Sequence, residues 1–403
     1  MKNILFVMGG LAMGGVETYV VRLATEIQKQ GHAVTVILLS SKYDESLFQK
    51  LSSVATVHIV EYFPFFGASS WLNALVPANA SSHSHFDVVH VVDLLTLSYM
   101  YFQRKKYSFA ALSIGIYHSR EIVWWRDRNI YFRKKMLELY DQNVKLTLFP
   151  NESTAEIAAT YKTLDNSEVA LLPLGVSLEN YRMCCPGKQS LKLLSVGRLV
   201  DFKVYNKHVI SVLSSLRLLD DFQYFIYGDG PEKEALQSYS VQCGVAQFVH
   251  FMGEVKYSDL PEILNDAFCF IGSGTTLIEA SAAGLPSIVG IESISTSHTC
   301  GFFSDIDGYS YNEASATSRR IPIVECIEML YRMEVSQYNS LSDAHRAKAG
   351  QFNIEETASK FIDLTTDYPN FEIRFSRCRA ILSFVYSIIK LGPKALKSRF
   401  DIV

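Results

Sequence analysis

The feature that most constrains this chain is a rhythm. Short, wholly apolar runs end in glycine-bearing turns and give way to helical spacing. The run Asn3-Ile4-Leu5-Phe6-Val7-Met8 opens it, and the turn Gly9-Gly10-Leu11-Ala12-Met13-Gly14-Gly15 follows. Val16, Val20, Leu23, Ala24 and Ile27 then recur at helical spacing, and Gly31 stops that helix. "AVTVILL" is the next strand. This β-loop-α-β order implies a parallel sheet with right-handed crossovers. "FDVVHVV", "FAALSIGIYH", "KLTLFP" and "VALLPLGV" extend the series.

A second series begins at "LKLLSVG". It runs through a helix near 207–219, "FQYFIYG", "PEKEALQSYSVQCG", "FVHFMG", "DLPEILNDA", "AFCFIG", "TTLIEASAAG" and "PSIVG". A chain of 403 residues is too long for one ordinary core, so two domains are expected. The polar turn "MCCPGKQS", 183–190, reads as the linker. Residues 1–182 then form an amino-terminal domain, 191–368 a second domain, and 369–403 a tail. Two such sheets joined by a hinge would face a central cleft with the carboxyl ends of their strands, where open α/β sheets bind ligands.

Composition narrows the classes. With 38 basic and 41 acidic residues the formal charge is -3, which argues against a general nucleic-acid binder. Seven cysteines without a CxxC pair fit free thiols in a reducing cytosol. The apolar start is too short for a signal peptide, and no run of 18 apolar residues exists. The expectation is a cytoplasmic protein, soluble or lying on a membrane face.

Four strand-to-helix turns carry candidate chemistry. Gly14 and Gly15 precede a helix, where amides and the helix dipole suit an anion, although the spacing is not GxGxxG and a plain turn serves as well. In "SVGRLVDFK", Arg198 offers a forked donor and Lys203 a point charge for a diphosphate; the alternative is two solvated surface cations. In "GSGTTLIEASAAGLPSI", Gly274, Thr275 and Thr276 open a helix, and Glu279 follows one turn later among small and apolar residues. A carboxylate buried there needs a partner, in the protein or in a ligand; neighbouring ribose hydroxyls would serve. His118, after "ALSIGIY", can bond a sugar hydroxyl or shuttle a proton, or simply be structural. Asp93 is similarly placed. Metal is not expected: there is no HExxH and no acidic triplet in a loop, and "YGDGPEKE" lacks the later ligands of a calcium loop.

Taken in order, "GGVE" at 14–17, "LLPLGV" at 171–176, "SVGRLVDFK" at 195–203, "YGDGPEKEAL" at 227–236, "VHFMGEV" at 249–255 and "TLIEASAAGLPSI" at 276–288 resemble the retaining nucleotide-sugar glycosyltransferases of GT-B fold, family 4 type. The resemblance implies two Rossmann-like, doubly wound α/β domains and a nucleotide-sugar donor with no metal cofactor. It implies that Arg198 and Lys203 hold the donor diphosphate and stabilise it as it leaves. Glu279 would bind the ribose, and the turn at Gly274-Thr275-Thr276 the β-phosphate and transferred sugar. Gly15 would belong to a loop that closes on the donor, Val255 would contact the base, and His118 would lie near the sugar. One departure stands out: the family often has a second acid eight residues before the ribose acid, and Ile271 is here. A nucleotide-sugar epimerase of the same fold and a transferase-like binding subunit are the other readings.

Past Pro369 the character changes. Arg374, Arg377, Arg379, Lys390, Lys394, Lys397 and Arg399 surround the apolar run 380–389. Such a segment suits the surface of an anionic membrane, or packs as an extra helix. "WWRDRNIYFRKK", 124–135, is also basic and aromatic. A glycan or lipid-linked acceptor is the expected second substrate.

Overall fold

The computed structural model describes residues 1–12, 14–60, 84–103, 107–118, 121, 137–138, 140–141, 144–160, 168–311 and 320–366. Met13, the stretch 124–135 and the tail 369–403 lie outside the described residues. The chain forms two compact units. One comprises Met1–Pro173 with, among the described residues, Glu355–Thr366; the other is Leu174–Ile354.

The first unit holds a parallel seven-stranded sheet in the order β3-β2-β1-β4-β5-β6-β7. Its strands are β1 (Asn3–Met8), β2 (Ala33–Leu38), β3 (Thr56–Ile59), β4 (Ser84–Val91), β5 (Tyr107–Gly115), β6 (Leu146–Phe149) and β7 (Glu168–Leu171). The helices are α1 (Gly15–Lys29), α2 (Glu45–Ser52), α3 (Leu94–Gln103) and α4 (Glu152–Thr160). Strand β1 is central because it is apolar on both faces; Ile4 to Met8 are all buried. Helix α1 ends as its sequence requires. Gly31, at φ 85°, bonds back to Gln28 O and His32 to Ile27 O, the paired closure that glycine permits.

The second unit holds a parallel five-stranded sheet in the order β10-β9-β8-β11-β12. These are β8 (Lys192–Val196), β9 (Gln223–Tyr227), β10 (Val249–Gly253), β11 (Cys269–Gly272) and β12 (Ser287–Val289), beside the small pair β13 (His298–Thr299) and β14 (Ile321–Pro322). The helices are α5 (Tyr205–Leu216), α6 (Lys233–Gln242), α7 (Leu260–Asn265), α8 (Thr275–Ala282), α9 (Ile323–Arg332) and α10 (Val335–Gly350). Leu193, Val209, Leu213, Tyr224, Phe268 and Ile327 lie in its core.

Two boundaries differ from the sequence reading. Residues 183–190, read as the linker, lie inside the second unit: Cys184 is buried, and its carbonyl accepts from Arg346 at 2.8 Å. The last described helix, α11 (Ile354–Thr366), belongs chiefly to the first unit. Phe361 stacks on Phe6 of β1 at 5.5 Å, and Gln30 donates to Ser359 at 3.2 Å. Burying each such ring contributes about 1.5–3 kcal/mol, and a strand-helix spacing read along the chain cannot show which sheet a late helix covers. Among the described residues no helix is long and apolar enough to cross a membrane.

Candidate active site

The second sheet reverses its strand order between β8 and β11. Ligands of open α/β sheets lodge outside the carboxyl ends of the strands at such a reversal. Strand β8 leaves through Gly197, Arg198 and Lys203 into α5, and β11 leaves through Ser273 and Gly274 into α8. The cations and the glycine-threonine turn read from sequence therefore flank one topological switch.

The Arg198 turn is fixed by backbone. Gly197 N donates to Tyr227 O and Leu199 N to Asp229 O, both at 2.9 Å. Gly228, at φ 134°, passes so close that a Cβ there would stand 2.0 Å from Gly197 O; at Gly230 it would stand 2.2 Å from Leu199 O. The glycines of "YGDGP" thus hold the cation-bearing turn, a role their sequence alone did not disclose. Arg198 is exposed and Lys203 half-buried, with its Nζ 3.3 Å from where a Cβ on Gly197 would be. Among the described residues neither side chain has an ion-pair partner.

Helix α8 is set against this turn by one bond: Thr276 Oγ1 donates to Val196 O, the last residue of β8, at 3.1 Å. Gly274 precedes the helix at φ 73°, no side chain caps it, and a Cβ on Gly274 would meet nothing within 4 Å. Its first turn presents amides, the positive end of the helix dipole. The other end is closed by Gly284 at φ 79° and by Arg346, which donates to Ala283 O at 3.0 Å. Leu277 to Ala282 are all buried, so Glu279 is buried with them, at 1% exposure.

Glu279 does have a protein partner. Tyr257 donates its hydroxyl to Glu279 Oε1 at 2.9 Å, and Tyr181 donates to Tyr257 at 3.3 Å. Tyr257 was not read from sequence; the available signal was a tyrosine in the polar turn "VKYSD" that follows a strand. Val255, half-buried, lies two residues before it, just after Gly253, whose carbonyl accepts from Gly228 N at 2.6 Å. Ile271 is a core strand residue with 0% exposure, paired with Ile288. Only Ser273 and Gly274 separate β11 from α8, so position 271 falls inside the strand, where an acid would be unsolvated.

The first unit carries Gly14, Gly15 and His118. Its sheet reverses between β1 and β4. Gly14 precedes α1, and a Cβ there would stand 2.4 Å from Glu17 Oε2; the glycine lets that carboxylate fold back over the helix start. A Cβ on Gly15 would meet nothing within 4 Å. At the exit of β4, Asp93 Oδ1 accepts from Thr96 N at 2.6 Å and caps α3. Glu121 Oε1 accepts from Leu94 N at 3.2 Å. Burial and then the charge of Asp93 push the Glu121 carboxyl well above the usual range. Glu121 N donates to His118 O at 3.0 Å, so Asp93, His118 and Glu121 gather at the carboxyl edge of β4 and β5. Asp93 stands at the reversal itself and His118 one strand along. Glu121 was missed; an acid three residues after the histidine was its signal.

Two parallel α/β units, each with polar groups at its switch point, define the GT-B architecture. The family model described as "Glycosyltransferase Family 4" matches residues 13–180, and "Glycosyl transferases group 1" matches 186–298. The chain belongs to the GT-B glycosyltransferases of family 4 type. It is 31% identical over 142 residues to a GDP-mannose-dependent alpha-(1-6)-phosphatidylinositol monomannoside mannosyltransferase of Mycobacterium tuberculosis; the match spans 30% of this chain and 37% of that relative. It is 22% identical over 306 residues to alpha-monoglucosyldiacylglycerol synthase of Streptococcus pneumoniae, 68% of each. In fold it is similar to Anabaena HepE, solved in complex with UDP and glucose: TM-score 0.67 at 13% identity, over 91% of this chain and 100% of that one. A glycosyltransferase from Rickettsia africae superposes with TM-score 0.64 at 13% identity, over 91% and 98%.

Proposed function

We propose that this protein transfers a sugar from a nucleoside diphosphate to a hydroxyl of a glycan or lipid-linked acceptor, with retention, in cell-surface polysaccharide or glycolipid synthesis. The observation that carries the reading is the switch point of the second sheet. Arg198, Lys203 and the start of α8 flank it, tied by the Thr276–Val196 bond, and Glu279 lies one turn below. Cations and amides suit a diphosphate, and a buried carboxylate suits ribose hydroxyls. The phosphatidylinositol monomannoside in the mycobacterial relative's name and the glucolipid in the streptococcal relative's name support the acceptor class.

The chemistry follows from charge. The bond from the anomeric carbon to the β-phosphate oxygen breaks, the sugar gains oxocarbenium character, and negative charge grows on the leaving phosphate. Arg198, Lys203 and the α8 amides stabilise that charge without a metal ion. The acceptor oxygen attacks from the face the phosphate leaves, and the phosphate takes up the acceptor's proton. Retention follows from that same-face attack. His118 would meet the transferred sugar, Gly14 and Gly15 would close on the donor, Val255 would meet the base, and Gly274, Thr275 and Thr276 the β-phosphate.

Purified protein should hydrolyse a nucleotide sugar slowly, still do so in EDTA, and lose the activity in Arg198→Ala and Glu279→Ala. Hydrolysis unaffected by both substitutions would refute the assignment, and an inverted anomeric product would refute retention. The basic, apolar tail sequence supports peripheral contact with the anionic inner face of the cell membrane. Truncation after residue 370 should abolish sedimentation with anionic liposomes while leaving donor hydrolysis; undiminished sedimentation would exclude that role.

A further inference from the structure

Glu292 stands at the second switch point although nothing in the strand pattern points to it. It lies in the turn after β12, and that turn is joined on both sides to the turns of the candidate site. Gly290 N donates to Gly272 O at 2.7 Å, at the exit of β11. Ser293 N donates to Phe202 O at 2.8 Å, beside Lys203. Between them, Glu292 Oε1 accepts from the buried Ser273 Oγ at 2.9 Å, in the turn that opens α8. Its second oxygen has no hydrogen bond or ion pair among the described residues, and the residue is half-buried.

The backbone next to it is unusual. Ser293 has φ 57°, the one non-glycine residue in the left-handed region among the described residues. Such a conformation costs free energy and persists where the surroundings impose it, often at a ligand site. The charge is informative too. A fixed carboxylate beside amides and cations repels a diphosphate, so it fits there if it faces a neutral group rich in donors.

Resting on the transferase reading above, we infer that Glu292 recognises the donor sugar, its carboxylate accepting hydrogen bonds from hydroxyls of the sugar attached to the β-phosphate. Strand β11 offers no acid for this, since Ile271 is buried in the core. The carboxylate arrives instead from the neighbouring strand's exit, and Ser273 orients it.

The test is calorimetric titration of full-length wild type, Glu292→Gln and Ser273→Ala with UDP, GDP, UDP-glucose and GDP-mannose, with melting temperatures alongside. Wild type should bind a nucleotide sugar more tightly than the matching diphosphate. In Glu292→Gln the nucleotide-sugar affinity should fall roughly ten- to hundredfold, the loss of one charged hydrogen bond, while diphosphate affinity stays within about twofold. Ser273→Ala should lose less, in the same direction. Equal losses for both ligands, with a lowered melting temperature, would show a structural latch and overturn the assignment. Wild type that binds diphosphates, with Glu292→Gln unchanged towards both ligands, overturns it alone. Wild type that binds no diphosphate overturns the transferase reading and this inference together.

Discussion

The two sheets reverse strand order in the same way and line the reversal with different groups. In the second unit the exits of β8 and β11 carry Arg198, Lys203 and the amide-rich start of α8. In the first, the exits of β1 and β4 carry Glu17 folded over the start of α1, and Asp93 with Glu121 beside it. Strand order fixes where a ligand can lodge; side chains fix which. Cations and helix amides at the second edge suit an anion, and the carboxyl groups of the first do not. Carboxyl groups and an imidazole suit hydroxyl groups instead, which is what a neutral sugar acceptor presents. On the transferase reading proposed above, the two edges divide the work: the second suits the donor's diphosphate, the first hydroxyl groups.

The substitution expected to break that division most severely is Arg198→Ala. Removing a group that stabilises developing charge typically costs about 10²–10³-fold in kcat. Lys203→Ala should fall in the same range, and UDP or GDP affinity should drop with each. Steady-state transfer kinetics and titration with the diphosphates check this. If either variant retains full turnover, the second switch point is not where charge develops.

Glu279 comes next. Glu279→Gln keeps volume and removes charge, so ribose contact should weaken roughly tenfold. Pairing the variant with a 2′-deoxynucleoside diphosphate sharpens the result. If the carboxylate bonds the ribose, the deoxy compound should bind wild type more weakly and the variant no worse than UDP does, because the two losses share one interaction. Simple additivity would leave Glu279 a role within the protein alone.

The first edge should behave oppositely. Asp93→Asn and Glu121→Gln should lower transfer to an acceptor about tenfold, as loss of positioning would, and leave UDP affinity unchanged. Assaying donor hydrolysis beside acceptor transfer separates the two effects. A loss of UDP binding comparable to that of Arg198→Ala would end the division of labour proposed for the two edges.

The contrast also shows what sequence could carry. Strand identity was legible because parallel strands are apolar on both faces; "NILFVM", "KLLSV" and "CFIG" all became strands where their patterns predict. The position of Arg198, Lys203, Gly274 and Thr276 at the switch point was legible because they follow those strands directly. The places of Tyr257 and Glu292 were not, since they bond Glu279 and Ser273, partners 22 and 19 residues away on other turns and helices. Spacing along a helix or strand reports local neighbours alone. Nor could periodicity show that α11 packs on β1 through Phe361, a partner 355 residues earlier in the chain on the numbering of the two rings.

Each unit also buries neutral histidine, His90 in the first and His208 and His345 in the second, and here the comparison turns from chemistry to stability. His90 lies between Ser113 Oγ at 2.9 Å and Tyr117 at 2.8 Å, edge-on to Phe361, and burial holds its pKa down to about 3. In the second unit His345 accepts from Ser287 N at 2.9 Å through Nε2, so the proton is on Nδ1, which donates to Leu341 O at 2.8 Å. Burial lowers its pKa as well. In both cases the unfolded chain binds a proton that the folded chain refuses. Stability is therefore insensitive to these groups above pH ~6.5 and falls as the pH drops below it. For His90 the fall is about 1.4 kcal/mol per pH unit down to pH ~3, hence about 2 kcal/mol at pH 5. Glutamine at position 90 can keep hydrogen bonds to Ser113 and Tyr117 without titrating. Urea unfolding of wild type and His90→Gln at pH 7.5 and 5.0 should show the variant less stable at the higher pH but with a shallower decline between them. Parallel declines would mean that acid acts on the first unit elsewhere, and the buried carboxyl of Glu121, which loses nothing by staying protonated, is not the group to supply it.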